Sequence, residues 1–454
     1  MDSNASTLAL PTASAAAFPA DFIWGVATSA FQIEGAPDAH GKGPSIWDTF
    51  CRQPGAIADG SNGDVACDHV ARLDDDLDMI RDLGVQAYRF SVSWPRVRAT
   101  GDGAWNEAGL AFYERLVDGL IARGIKPYLT LNHWDLPQAL QDQGGWANRA
   151  TVHRFVEYAL GIAERLGDRV VSIATHNEPW VMAQLGHETG IFAPGIKDRG
   201  IAAQVSHHLL LSHGLAVTAM RAAGVKASLG IVLNLSPMYP ATDSEADRAK
   251  ARLEDGRIRR WYMDPLFKAT YPQDVLDDLG HAAPYVEAGD MALINVPIDF
   301  LGVNYYSRGM VSADNSFDPK TSGLELTDMG WEVYPQGLTD LLVQLHRDYP
   351  IKRLYVTENG GAFKDPVGAD GQVHDEDRTR YLDTHIAAVG EAIRQGVPMG
   401  GYMVWSLMDN FEWASGYEKR FGIVHVDYAT QRRTLKDSAL AYRNFVLRQR
   451  AARG

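Results

Sequence analysis

A chain of 454 residues carrying a formal charge of −14 has no general attraction for nucleic acid or an anionic membrane surface, so a neutral substrate suits it best. With 46% hydrophobic and 22% charged residues it can bury a large core, which excludes global disorder. No uninterrupted run of about eighteen apolar residues occurs, so a membrane-spanning helix is not expected.

In chain order, residues 1–17 are rich in Ala, Ser and Thr, lack the basic start of a secretory signal, and read as a disordered leader; Asn4-Ala5-Ser6 matches a glycosylation sequon by pattern only. Short runs of β-branched and aromatic residues then recur at 22–28, 86–91, 125–132, 170–177, 229–235, 299–306, 353–358 and 400–406. Between them lie stretches of helical period, such as Val70, Leu73, Leu77 and Ile80, or Leu110, Tyr113, Leu116, Val117, Leu120 and Ile121. Asn106 is placed to cap the second of these helices, Gly124 to end it, and Lys126-Pro127 to start the next strand. Near-continuous apolar strands such as Val170 to Ala174 suit a parallel sheet covered by helices, and eight strand–helix units predict a (β/α)₈ barrel over 18–450. The rival, a doubly wound open sheet, often carries a glycine-rich phosphate turn, and neither GxGxxG nor GxxxxGK[ST] occurs. The segments 36–66, 179–200, 307–334 and 408–436 then become long loops on the active-site face. Cys51 and Cys67 form no CxxC or zinc-type spacing, and such sparse cysteine suits a reducing, cytoplasmic compartment.

Polar residues gather where strands end. Four ends read Asn132-His133-Trp134, His176-Asn177-Glu178-Pro179, Asn304-Tyr305-Tyr306 and Thr357-Glu358-Asn359-Gly360. A barrel builds its active site there. Cleaving a glycosidic bond takes one carboxylic acid to protonate the leaving oxygen and one carboxylate to meet the anomeric carbon, and Glu178 and Glu358 are candidates for that pair. Singly, each also fits a solvated charge, and Asn359-Gly360 also fits an ordinary turn. Trp405, Glu412 and Trp413, in Trp405-Ser406-Leu407-Met408-Asp409-Asn410-Phe411-Glu412-Trp413, mix indole faces with a carboxylate, which suits the apolar faces and hydroxyl rim of a pyranose as well as it suits core packing.

From about residue 18 to 447 the chain resembles glycoside hydrolase family 1, the β-glucosidase family, in six ordered blocks. These are Phe22 to Ala30 with Gln32-Ile33-Glu34-Gly35, Tyr88 to Arg96, Asn132 to Pro137, Asn177-Glu178-Pro179, Val356 to Gly360, and Trp405 to Trp413. The resemblance implies Glu178 as acid/base and Glu358 as nucleophile of a retaining β-glucosidase, with Arg89, Tyr306 and Asn304 supporting the nucleophile. It also implies sugar contacts from Gln32, His133, Trp134, Asn177, Glu412 and Trp413, Trp405 as a stacking floor, and Trp331 as a wall of the aglycone site. Terminal β-glucosyl residues are the implied substrate, with β-galactosides and β-fucosides also in range; cellobiose and other short oligosaccharides would place the enzyme in cellulose degradation, without cofactor or metal. A homo-oligomer is compatible with the sequence.

Members acting on 6-phosphosugars usually lack the Glu412-Trp413 pair and hold a basic phosphate site, for which only Lys419 and Arg420 lie near. Where the family commonly has an apolar or aromatic residue before Asn-Glu-Pro, this chain has His176. Two other classes stay open: a metal-dependent barrel hydrolase using His133, Asp135, His176 and Glu178, and a carbohydrate-binding protein without turnover.

Overall fold

Eight parallel strands close on themselves in the computed structural model, which describes residues 8–452. They are β1 (Ile23–Ala27), β2 (Ala87–Ser91), β3 (Lys126–Asn132), β4 (Ser172–Asn177), β5 (Ser228–Asn234), β6 (Phe300–Asn304), β7 (Leu354–Asn359) and β8 (Met399–Trp405). Each lies beside its neighbour in sequence, and β8 returns to β1 with Ile23 to Ala27 opposite Gly401 to Trp405. The expected strands match these to within two residues at either end.

The strands are almost entirely buried because both faces are covered. Outside, the helices Leu73–Asp82, Glu107–Ala122, Arg149–Leu166, Arg199–Ala222, Pro335–Asp348, Glu376–Arg394 and Asp437–Ala451 form one continuous core with the barrel wall. Inside, Ile23, Ala27, Ala87, Tyr128, Met403 and Trp405 make a separate, smaller cluster. The helix Glu107–Ala122 buries Leu110, Tyr113, Leu116, Val117 and Leu120, while Ile121 faces solvent. Gly124 ends it with φ +72°.

Three local expectations are corrected. Asn106 holds the cap position, but its amide donates to the carbonyls of His40 and Arg96 at 2.5 and 2.7 Å instead of closing the helix. Val70 precedes its helix, which begins at Leu73. The leader is ordered over its described part: Pro11–Ser14 forms a helical turn, Leu10 and Ala13 are buried, and the amides of Thr12 and Ala13 donate to the Asp383 carboxylate at 3.1 and 2.8 Å. A carboxylate at a helix start satisfies amides that have no partner within the helix, which explains how so short a turn docks. Residues 1–7, with the sequon, lie outside the described residues.

The four long loops follow β1, β4, β6 and β8, all at one end of the barrel. Each has structure of its own: the helix Ile46–Phe50, the π-helix Val181–Glu188, the strand Gly309–Val311 and the hairpin Val424–Asp427 with Arg432–Leu435. A further excursion between β5 and β6, containing the helices Glu245–Asp255 and Trp261–Lys268, joins them; its strand Met238–Pro240 pairs with Gly309–Val311.

Candidate active site

Parallel strands bring their carboxyl ends to one rim, so residues far apart in sequence meet there. Arg89, on β2, points across the barrel. Its Nη1 donates to Glu358 Oε1 at 2.6 Å, and its Nη2 to Asn177 Oδ1 at 2.7 Å. The Tyr306 hydroxyl donates to the second oxygen of Glu358 at 2.5 Å. Asn304 stands beside Glu358 in the β6–β7 register, yet its amide reaches across to Glu178 Oε1 at 2.6 Å and to Asn177 Oδ1 at 3.0 Å, while Thr357 donates to its carbonyl. Asn177 in turn donates to His133 Nε2 at 3.2 Å. Arg89, Asn177 and Asn304 therefore join the two glutamates in one hydrogen-bonded web.

Consecutive residues on a strand face opposite ways. Asn177 and Glu178 nevertheless both face the interior, because the β4–β5 register is irregular between Ala174 and Asn177 and Glu178 has φ +49°. Trp134 and Trp413 also occupy the left-handed region, at φ +78° and +49°. Such backbone costs about 1–3 kcal/mol per residue and persists only when the surroundings hold it. Trp134 is held partly by its indole N–H, which donates to the Asn177 carbonyl at 2.9 Å.

Gly360 is not the turn glycine its sequence suggested. A Cβ there would lie 1.7 Å from the Trp405 carbonyl oxygen, so the residue is needed for close approach of the β7 end to the β8 end. Asn359 anchors the same strand end from outside, donating to the Tyr305 carbonyl at 2.7 Å and accepting from the Tyr402 hydroxyl at 2.6 Å.

The two glutamates share burial but differ in partners. Burial raises the pKa of Glu178 well above the ordinary glutamate value, and the charge of Glu358 adds to it; the Asn304 amide opposes both. Burial raises Glu358 as well, but there the Arg89 cation and the Tyr306 hydroxyl stabilise the carboxylate. The pair's proton accordingly rests on Glu178. Glu412 is pushed up to about 8, by burial first and then by the charge of Glu358, and Gln32 is the one group pulling it back. Burial, with the Arg89 charge, keeps His133 neutral.

A cavity of about 310 Å³ opens above these groups, lined by His133, Trp134, Glu178, Asn304, Tyr306, Trp331, Glu358, Trp405, Glu412 and Trp413. His133 lies parallel to both Trp405 and Trp413, its ring 5.8 and 6.0 Å from theirs. Gln32, Asn177 and Arg89 stand behind this lining; Gln32 donates to Asn410 Oδ1 and the Phe411 carbonyl at 3.0 and 2.9 Å and lies 3.4 Å from Glu412. Trp331, half-buried, stands 5.5 Å from the Tyr306 ring at the outer part of the cavity. Sequence reasoning missed the rest of the outer wall, including Trp180, Leu185, Phe192, Ile258 and Met329. Trp180 directly follows Pro179 and Met329 nearly adjoins Trp331, so those two were within reach; Ile258 enters from the β5–β6 excursion, where no local pattern marks it.

The metal-ligand set is not assembled. His176 lies outside the barrel wall, stacked on Phe155, while Asp135 sits beside Ser93 in the field of Glu34, its pKa raised by burial to about 7. Among the described residues no cluster of three or more His, Cys, Asp or Glu is arranged to hold a metal ion. Lys419 and Arg420 are committed elsewhere, to the Asp328 carbonyl at 2.8 Å and to Asp409 at 2.6 Å, and neither lines the cavity.

Known proteins carry the same architecture. The β-glucosidase A of Acetivibrio thermocellus is 48% identical over 94% of this chain and 98% of its own length. A bifunctional β-D-glucosidase/β-D-fucosidase of Bifidobacterium breve is 44% identical over 94% of this chain and 98% of its own. The solved family 1 β-glucosidase of Thermotoga maritima superposes with a TM-score of 0.92 at 46% identity, covering 95% of this chain and 98% of that one. The glycosyl hydrolase family 1 profile matches residues 14–451, and the chain belongs to that family.

Proposed function

We infer that the protein is a retaining β-glucosidase in which Glu358 is the nucleophile and Glu178 the acid/base. The observation that carries this reading is the unequal environment of two glutamates in one cavity: Glu358 accepts from a guanidinium and a phenol, Glu178 from one amide. The first arrangement favours a carboxylate; at Glu178 burial and the neighbouring Glu358 charge outweigh the single amide and favour a carboxylic acid. Glu358 attacks the anomeric carbon as Glu178 gives its proton to the glycosidic oxygen, releasing the aglycone and leaving a glycosyl ester on Glu358. Glu178, now ionised, takes a proton from water; the hydroxide displaces Glu358, and the sugar leaves with its original β configuration.

Trp405 and the parallel His133 and Trp413 give the sugar ring an apolar platform, and Glu412, Gln32 and Asn177 are placed for its hydroxyls. Asn177, held by Arg89 and Asn304, suits the 2-hydroxyl, a contact that strengthens in the transition state. Trp134 packs against Trp413 and holds that platform, its ring 4.5 Å away. Trp331, with the apolar outer wall, receives the aglycone. β-Fucosides fit the same reading, as the Bifidobacterium breve relative's double activity suggests. Cellobiose and similar short oligosaccharides, met in the cytoplasm at a late stage of cellulose breakdown, are the proposed substrates; two free cysteines agree with that compartment.

The decisive experiment is intact-mass spectrometry and peptide mapping after brief incubation with a 2-deoxy-2-fluoro-β-glucoside bearing a good leaving group. A single fluoroglucosyl adduct on Glu358 is expected. Hydrolysis of the plain glucoside without any adduct would sink the assignment.

A further inference from the structure

Asn177 and Glu178 follow a residue that points the other way. His176 is fully buried on the outer side of the barrel wall, its ring stacked 4.4 Å from Phe155 of the helix Arg149–Leu166. Both ring nitrogens are engaged. Asn132, its register partner on β3, presents its amide to Nδ1 at 3.0 Å, and Nε2 lies 2.8 Å from Ser212 Oγ on the helix Arg199–Ala222. The Ser212 hydroxyl donates to the Leu209 carbonyl at 2.8 Å, which leaves it to accept from Nε2. These contacts select one neutral tautomer, Nε2–H, with Nδ1 as acceptor.

The position of this ring matters because of what the backbone does there. The β4–β5 ladder is out of register between Ala174 and Asn177, and Glu178 then turns through φ +49°. Pairing resumes at Asn177, opposite Val232, and the Glu178 amide donates to the Val232 carbonyl at 2.9 Å, but a bulged end in an unfavourable conformation persists only where side chains also hold it. On the inner side Trp134 donates to the Asn177 carbonyl. On the outer side His176 is the fixing, tying the bulged end to β3 and to the helix behind it.

We propose that His176 is a positioning residue for Glu178, acting through the Asn132–His176–Ser212 chain of hydrogen bonds to hold the acid/base carboxyl at the distance from the glycosidic oxygen that proton transfer requires. This rests on the assignment of Glu178 as the acid. A displacement of that carboxyl weakens protonation of the leaving group and leaves attack by Glu358, fixed on β7, in place. Loss is therefore graded by how much the leaving group needs a proton.

The test compares kcat/KM for two aryl β-glucosides, unsubstituted phenyl and 2,4-dinitrophenyl. His176→Phe keeps the ring's volume and stacking but removes both hydrogen bonds. It should slow the phenyl glucoside on the order of 10- to 100-fold and the dinitrophenyl glucoside by less than about 3-fold. His176→Gln, which can both accept from Asn132 and donate to Ser212, should recover most of the loss. Equal loss on both substrates, or none, would overturn the proposal. If His176→Phe fails to fold, Ser212→Ala takes its place and must show the same grading in smaller degree; a flat response overturns the proposal equally. Glu178→Ala is the control: a flat series in that variant removes the acid assignment itself, whereas a steep series there with a flat one in His176→Phe removes only the role of His176.

Discussion

Asp409 and Glu412 stand three residues apart on the loop after β8, Asp409 fully buried and Glu412 half-buried at the cavity, and their acidities move in opposite directions. Asp409 is held below the ordinary aspartate value although burial opposes this, because Lys436, Arg420 and Arg378 surround it. Glu412 is pushed up to about 8, since burial and the Glu358 charge meet little opposition. Asp409 belongs to a closed network: Lys436 bridges Asp409 and Asp365, and Arg378 bridges Asp365 and Asp375. Glu412 faces the cavity. Burial alone therefore does not set the state of an acid here; the supply of cations does. Beneath the loop the charges are balanced and structural, and at its surface an acid is left short of partners, available to a ligand.

The largest effect should come from the site side. Glu358→Gly should lower kcat by at least about 10⁴-fold while circular dichroism and Tm stay close to those of the parent; a comparable loss of Tm would make Glu358 a structural acid like Asp409. Next comes the network. Lys436→Met leaves two buried carboxylates without their shared cation and should cost about 3–5 kcal/mol in denaturant unfolding, far more than removal of any surface ion pair. A loss below about 1 kcal/mol would mean that the network is not what holds the loop.

The third test is pH dependence. Glu412 ionises near its ordinary 4.5 when unfolded and near 8 when folded, so folding stability falls as pH rises from 4.5 to 8 and the deficit is complete above that range. Glu412→Gln should therefore gain on the order of 2 kcal/mol over the parent at pH 9 and much less at pH 5. Asp409 runs the other way, contributing stability above its ordinary 3.8 that disappears as acid lowers the pH through its depressed folded value. An equal gain for Glu412→Gln at both pH values would break the contrast. The smallest effect is expected at Asp383, an acid satisfied by backbone amides: Asp383→Ala should cost about 1 kcal/mol, speed hydrogen exchange at Thr12 and Ala13, and leave kcat/KM unchanged. Unchanged exchange there would show that the leader is held by Leu10 and Ala13 packing instead.

The barrel was legible because each strand is a short apolar run between turn signals, a pattern local to five to seven residues. Glu178 and Glu358 were legible because both interrupt such a run at its carboxyl end. The network of Asp365, Asp375, Arg378, Asp409 and Lys436 was not, since a charge in sequence carries no mark of which distant charge it will meet. The same holds for Asn106, whose cap position was readable but whose competing carbonyls, on His40 and Arg96, were not. The docked turn at Pro11–Ser14 escaped notice because its fixing, Asp383, lies on a helix near the other end of the chain. His176 could be seen as unusual; its orientation depended on a register irregularity that composition does not encode.

The contact between Gly360 and the Trp405 carbonyl also bears on how this enzyme can be altered. It locks the strand carrying Glu358, the proposed nucleophile, to the strand carrying Trp405, the proposed sugar platform, at a spacing no side chain permits, so neither strand end can move without disturbing the other. Trp180 and Phe192, from the loop after β4, Ile258, from the β5–β6 excursion, and Met329, from the loop after β6, enter outside that lock. On the proposed assignment of that outer wall to the aglycone, changes there would retune which leaving groups are accepted while the reacting centre keeps its geometry, which would make the choice of aglycone the property of this scaffold most open to redesign.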